Sequence, residues 1–153
     1  RLQSGGKILV CGNGGSNSDA SHFVGELLGR YLKKDAKPLP AILLTTGDAL
    51  GSAISNDYGY DYVFSRQVEG LANKEDVLIC ISTSGKSRNI LNALKQGINQ
   101  NIYTILLTSK LYKTIEELIQ VKEIKINSSF TPSIQHAHIF VLHLICQKLE
   151  EIR

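Results

Sequence analysis

The chain has 153 residues, 42% of them hydrophobic, which is enough for one domain that buries roughly two-thirds of its unfolded surface without covalent staples. Its 17 basic and 14 acidic side chains leave a net charge of +3, spread along the sequence rather than gathered in a tail. That pattern speaks against nucleic acid and for small anionic ligands. The most apolar late segment, Ile139–Cys146, is short and interrupted by His143, and no charged-then-apolar leader opens the sequence, so neither a membrane span nor export is expected.

In chain order, the apolar run Lys7–Cys11 reads as a buried strand. Gly12, Gly14 and Gly15 then let the chain turn tightly with backbone N–H groups exposed at the start of a helix predicted over Ser16–Leu32. Asn13, Gly14, Gly15 and Ser16 thus form a candidate cradle for an anionic or polyhydroxylated ligand. On the helix, His22 and Glu26 stand four residues apart on one face, so an imidazole and a carboxylate converge on one metal ion or one substrate carbon. Strands are predicted at Pro40–Thr45, Asp76–Ser82, Tyr103–Thr108 and Lys122–Asn127. They alternate with helices at Asp48–Ser55, Tyr62–Leu71, Ser87–Gln100 and Lys113–Gln120, and a long helix closes the chain over Ser133–Glu151. This alternation predicts an α/β fold, a three-layer α/β/α doubly wound sheet of about five parallel strands in one domain over residues 1–153. Ligands of such sheets sit beyond the carboxyl ends of the strands, here the loops after Cys11, Thr46, Ser82 and Thr108. The sequence opens at Arg1 and soon enters its first strand, and we expect a further N-terminal helix in the full-length protein.

The loop Ser82-Thr83-Ser84-Gly85-Lys86-Ser87 follows a strand and precedes an amphipathic helix. Its hydroxyls and backbone N–H groups at a helix start suit a phosphate, the plain alternative being a serine-rich turn with Ser87 as N-cap. It lacks the earlier glycine of a nucleotide-triphosphate loop, and Asn13-Gly14-Gly15 lacks the third glycine and the acidic partner of a dinucleotide fingerprint. A sugar phosphate is the ligand these loops favour. The closing helix carries Gln135, His136, His138 and His143. At about 100° per residue Gln135 and His143 lie two turns apart and face within roughly 80° of each other, while His136 and His138 diverge. With His22 and Glu26 they offer two nitrogen and two oxygen donors, a set consistent with a divalent ion such as zinc. Cys11, Cys80 and Cys146 all lie in apolar runs and read as buried reduced thiols, which implies a cytoplasmic protein.

Taken together, Gly5–Leu9, Gly12–Ser16, Asp19–Phe23, Glu26, Gly29-Arg30-Tyr31, Asn56–Gly59, Phe64–Glu69, Ile81–Gly85 and Ile134-Gln135 with His143 resemble the sugar isomerase (SIS) domain. Within it they resemble the bacterial phosphoheptose isomerases, over nearly the whole chain. The resemblance implies a flavodoxin-like SIS fold, a homotetramer with active sites at subunit boundaries, and conversion of sedoheptulose 7-phosphate to D-glycero-D-manno-heptose 7-phosphate for lipopolysaccharide or capsule. It also implies phosphate binding by Ser82, Thr83, Ser84 and Ser87, sugar contacts from Asn13, Gly14, Gly15, Asn56 and Asp57, and zinc on His22, Glu26, Gln135 and His143.

Such an isomerisation moves a proton between C1 and C2 through an enediol and needs a base, an acid and oxyanion stabilisation. Glu26 is the expected carbon base and His143 the oxygen-proton shuttle, with the reverse assignment open. Gln135 or a metal would hold the enediolate oxygens. Departures from the family pattern fall at Ser16–Asp19, at Ser109–Lys113, and at Pro132-Ser133 and His136, bordering the expected pocket. Alternatives are a non-catalytic SIS relative that binds a replication initiator, a ligand-sensing module, and an isomerase of another sugar phosphate.

Overall fold

The computed structural model describes residues 1–152, and its elements follow from where the sequence alternates between β-rich apolar runs and 3.6-period stretches. Strand β1 (Ile8–Gly12) leads into helix α1 (Gly15–Leu28), then β2 (Ala41–Leu43), α2 (Ala49–Tyr58) and α3 (Val63–Leu71). Next come β3 (Val77–Ile81), α4 (Arg88–Asn99), β4 (Tyr103–Ser109), β5 (Lys122–Ile126) and α5 (Thr131–Glu151). The five strands form one parallel sheet in the order β2-β1-β3-β4-β5, in register Leu9 with Leu78 and Cys11 with Cys80.

Both sheet faces are covered, which is why the strands read as continuous apolar runs. Alternate side chains feed two cores. Leu9, Cys11, Leu78, Cys80 and Leu106 meet Phe64, Val68, Ile90 and Leu94 from α3 and α4. On the other face Ile8, Val10, Ile79, Ile81 and Leu107 meet Ala20, Phe23 and Leu27 of α1 and Leu142 and Cys146 of α5. Each leucine, isoleucine, valine or phenylalanine among them contributes about 1.5–3 kcal/mol when fully buried. The three cysteines are buried, with the Cys11 and Cys80 sulfurs 3.4 Å apart on adjacent strands.

The chain leaves β1 for β2 on one side and returns to β3 on the other, so the loops after β1 and β3 diverge to opposite faces. A crevice opens between their carboxyl ends. At the amino ends the same two strands are tied by Asp76, which accepts from the Lys7 backbone N–H (2.8 Å), the Lys7 Nζ (2.6 Å) and the Asn73 N–H (2.8 Å).

Two expectations need correction. The helix predicted over Lys113–Gln120 is a single 3₁₀ turn, Glu116–Leu118. Thr114 is held by its hydroxyl to the Glu123 carboxylate (2.7 Å) and the Lys125 Nζ (3.0 Å), and Ile115 is extended (φ −101°, ψ 147°), so only the turn that buries Leu118 remains helical. The first helix ends at Leu28 rather than Leu32. Gly29 leaves helical geometry after one last bond to the Gly25 carbonyl (2.8 Å), and the chain turns toward α5.

Candidate active site

The first loop is built on close backbone approach. Gly14 takes φ +54°, a conformation costly for other residues, and initiates α1. A Cβ on Gly15 would run into the side-chain amide of Gln135, so this glycine is the notch that lets α5 lay Gln135 over the start of α1. Ser16 is buried just inside the helix. Asn13 reaches across the crevice and exchanges two side-chain hydrogen bonds with Asn89 of α4, each 2.9 Å. The Tyr60 hydroxyl donates to the same Asn13 oxygen at 2.9 Å.

The second loop, Ser82–Ser87, stands on the opposite side of the crevice. The Ser82 hydroxyl accepts the Gly85 N–H (3.1 Å), the Ser84 hydroxyl accepts the Lys86 N–H (3.2 Å), and Ser109 donates to the Thr83 carbonyl (2.6 Å). Gly85 adopts φ +64° with the Tyr112 ring packed where a Cβ would stand. Ser87 occupies the N-cap of α4, yet its hydroxyl makes no capping bond, so the plain reading of an N-cap serine does not account for it. The loop thus presents hydroxyls at the positive end of a twelve-residue helix. Asn56 and Asp57 bond to one another (2.8 Å) on the exposed end of α2, just before the turn that carries Tyr60.

The candidate acid–base groups come from α1 and α5. His22 and Glu26 face the same way, Nε2 to Oε1 3.1 Å, and His143 brings its Nε2 to 3.0 Å from that of His22. Their ligand atoms all lie within 4.8 Å of one another. A four-coordinate ion with bonds near 2.0–2.2 Å separates its ligands by about 3.4 Å, so this two-imidazole, one-carboxylate set fits a divalent cation such as zinc with little adjustment. The fourth expected donor, Gln135, lies against Gly15, two helical turns before His22. The cluster opens to solvent, with the His22 side chain 49% and that of Glu26 23% exposed.

Behind the cluster lies buried polar matter that spacing did not reveal. His138 is fully buried, its Nε2 3.0 Å from the Thr108 carbonyl, and therefore carries its proton there when neutral. Burial pushes its pKa down, against the Thr108 bond and the Asp19 charge, which raise it. Burial in turn pushes the Asp19 carboxyl up, offset in part by His138, His22 and His136. The ring of Tyr31 lies 5.7 Å from that of His143, inclined by 32°. Asn89, Tyr60 and Tyr31 were missed as site residues. Asn89 and Tyr60 meet Asn13 across 76 and 47 positions of sequence, with no local pattern to announce the contact.

Comparisons with known proteins identify the family. The SIS domain family model matches residues 1–109. Phosphoheptose isomerase 1 of Campylobacter jejuni is 50% identical over 150 residues, covering 98% of this chain and 80% of that protein. The phosphoheptose isomerase of Helicobacter pylori is 48% identical over 149 residues, covering 97% and 77%. Among solved structures, a phosphoheptose isomerase from Francisella tularensis superposes with a TM-score of 0.87 at 36% identity, covering 98% of this chain and 79% of that one. One from Neisseria gonorrhoeae superposes at 0.86 and 37%, with the same coverage. The chain belongs to the SIS domain family and, within it, to the phosphoheptose isomerases.

Proposed function

We propose that this chain isomerises sedoheptulose 7-phosphate to D-glycero-D-manno-heptose 7-phosphate, as one SIS domain over residues 1–153. The observation that carries the reading is the convergence of His22, Glu26 and His143 at 3.0–3.1 Å beside a crevice flanked by two helix-start loops. A phosphate docks on Ser82, Thr83, Ser84 and Ser87 at the start of α4, and the sugar extends over Asn13, Gly14, Gly15 and Ser16, with Asn56 and Asp57 contacting its far hydroxyls.

Glu26, part-exposed to solvent, removes the proton from one carbon of the C1–C2 pair, exchanges it with solvent and protonates the other carbon. His143 moves protons among the oxygens, including those of ring opening, and Gln135 donates to the enediolate from its seat over Gly15. His22, Glu26, Gln135 and His143 are the residues that would hold a zinc ion, which supplies Lewis-acid stabilisation of the enediolate when bound. The imidazoles would bind a cation in their neutral form.

The chain works as a homotetramer with sites at subunit boundaries. Support comes from Phe140 and Leu144, which are exposed on the helix that carries His143. No described helix is long and apolar enough to cross a membrane, and the buried cysteines suit the cytoplasm. The product would serve nucleotide-activated heptose synthesis for lipopolysaccharide or capsule.

The test is turnover of sedoheptulose 7-phosphate by the full-length protein beside Glu26→Gln and His143→Ala, with chelator and with added zinc. Turnover lost in both variants and restored to the chelated wild type by zinc supports the reading. A folded, zinc-loaded wild type that leaves sedoheptulose 7-phosphate unchanged overturns it.

A further inference from the structure

The segment after α1 is clamped onto α5. Beyond Gly29 the backbone N–H groups of Leu32 and Lys33 both donate to Oε1 of Glu150, at 3.2 and 3.1 Å, and the Lys33 Nζ donates to the Glu150 carbonyl at 3.2 Å. Glu150 is only 4% exposed although it belongs to the last turn of α5. A carboxylate is disfavoured there by the negative end of the helix dipole, so helix stability does not explain its presence.

The residue just before the clamped pair is Tyr31, whose ring lies over the imidazole of His143. His143 stands seven residues, two turns, before Glu150 and therefore on the same face of α5. A continuous line of contacts results. It runs from the Glu150 carboxylate through the backbone of Leu32 and Lys33 to the Tyr31 ring, on to the His143 imidazole, and ends at His22, whose ring centroid is 5.1 Å from that of His143.

We propose that Glu150 is a positioning residue for His143: it holds the strap 31–33 against α5 so that Tyr31 fixes one orientation of the His143 ring, with Nε2 aimed at His22. The inference rests on the reading of His143 as an acid–base group. A half-buried imidazole has two side-chain torsions free to turn, and only one setting points Nε2 into the cluster. The strap removes that freedom from outside the reaction site, and a displacement of about 1 Å at such a group is enough for losses near 100-fold.

The test uses the full-length protein and reads the His143 ring directly by NMR, assigned with His143→Gln, together with kcat and KM. Glu150→Ala and Tyr31→Ala should each shift the His143 ring resonances in the same direction and lower kcat roughly 10- to 100-fold with KM within about 3-fold. The double variant should be no worse than the single ones, because both cut the same line of contacts. Glu150→Gln, which keeps an acceptor oxygen for both N–H groups, should restore most of the wild-type signal, as should Tyr31→Phe, which keeps the ring. The proposal is overturned if Glu150→Ala leaves the His143 resonances in place while Tyr31→Ala moves them, or if the two losses add. The resonances report even if sedoheptulose 7-phosphate proves not to be the substrate, so failure of the positioning claim and failure of the functional reading give different results.

Discussion

Removing the Asp76 carboxylate should cost stability and leave chemistry untouched. Asp76 is 1% exposed at the amino end of β3 and satisfies two backbone N–H groups, of Lys7 and Asn73, besides the Lys7 ammonium. Asp76→Ala strands both N–H groups, each at about 1–3 kcal/mol when buried and unpaired. The Lys7 side chain, 22% exposed, regains water and limits the further loss. We expect about 2–4 kcal/mol in urea titrations and a drop of about 10 °C in Tm.

Burial works to raise this carboxyl, but the Lys7 side-chain bond, the N–H groups of Asn73 and Lys7 and the Lys7 charge prevail and hold it below the usual aspartate range. The sign follows. A depressed folded pKa gives stability that is fully present above the unfolded value of about 4 and lost as pH falls through the lower folded value. The gap between wild type and Asp76→Asn should therefore be flat from pH 8 to about 5 and narrow below 4. Because Asp76 sits at the opposite end of the strands from the catalytic rim, kcat measured well below the variant's Tm should match wild type within about 2-fold. A stability loss under about 1 kcal/mol, or a kcat that falls tenfold in the folded variant, would refute the reasoning.

Three other perturbations separate the parts of the site. Glu26→Gln keeps shape at a part-exposed position, so stability should move by less than about 0.5 kcal/mol while kcat falls about 10²- to 10⁴-fold in a coupled isomerase assay. Gly15→Ala inserts a methyl into the seat of the Gln135 amide, the far end of a flexible side chain. Thermal melts should show a small change, and kcat should fall with the displaced amide. Gly85→Ala forces a positive φ and meets the Tyr112 ring, adding about 1–2 kcal/mol of strain. The distorted loop should raise KM for the phosphorylated sugar more than it lowers kcat.

Much of this architecture was legible in the sequence because parallel strands buried on both faces announce themselves as apolar runs. The runs from Lys7, Asp76 and Tyr103 became strands with no end shifted by more than one residue. The Lys113–Gln120 error came from filling the gap between two strands with a helix, where side-chain bonds from Thr114 to Glu123 and Lys125 hold the chain instead. The i,i+4 spacing was enough to place His22 beside Glu26, since one helix fixes both. The approach of His143 to His22 was harder, depending on the crossing of two helices more than a hundred residues apart in sequence. Glu150 was invisible, because a glutamate near a helix end reads as solvated surface until the chain after Gly29 is seen folded over it.

The most direct test of the enediol chemistry assigned to Glu26 is isomerisation of sedoheptulose 7-phosphate in D₂O, followed by NMR of the aldose product. Solvent deuterium at C2 of the heptose 7-phosphate, abolished with turnover in Glu26→Gln, is the predicted result. Deuterium incorporation that persists at the wild-type rate in a folded Glu26→Gln variant would contradict it.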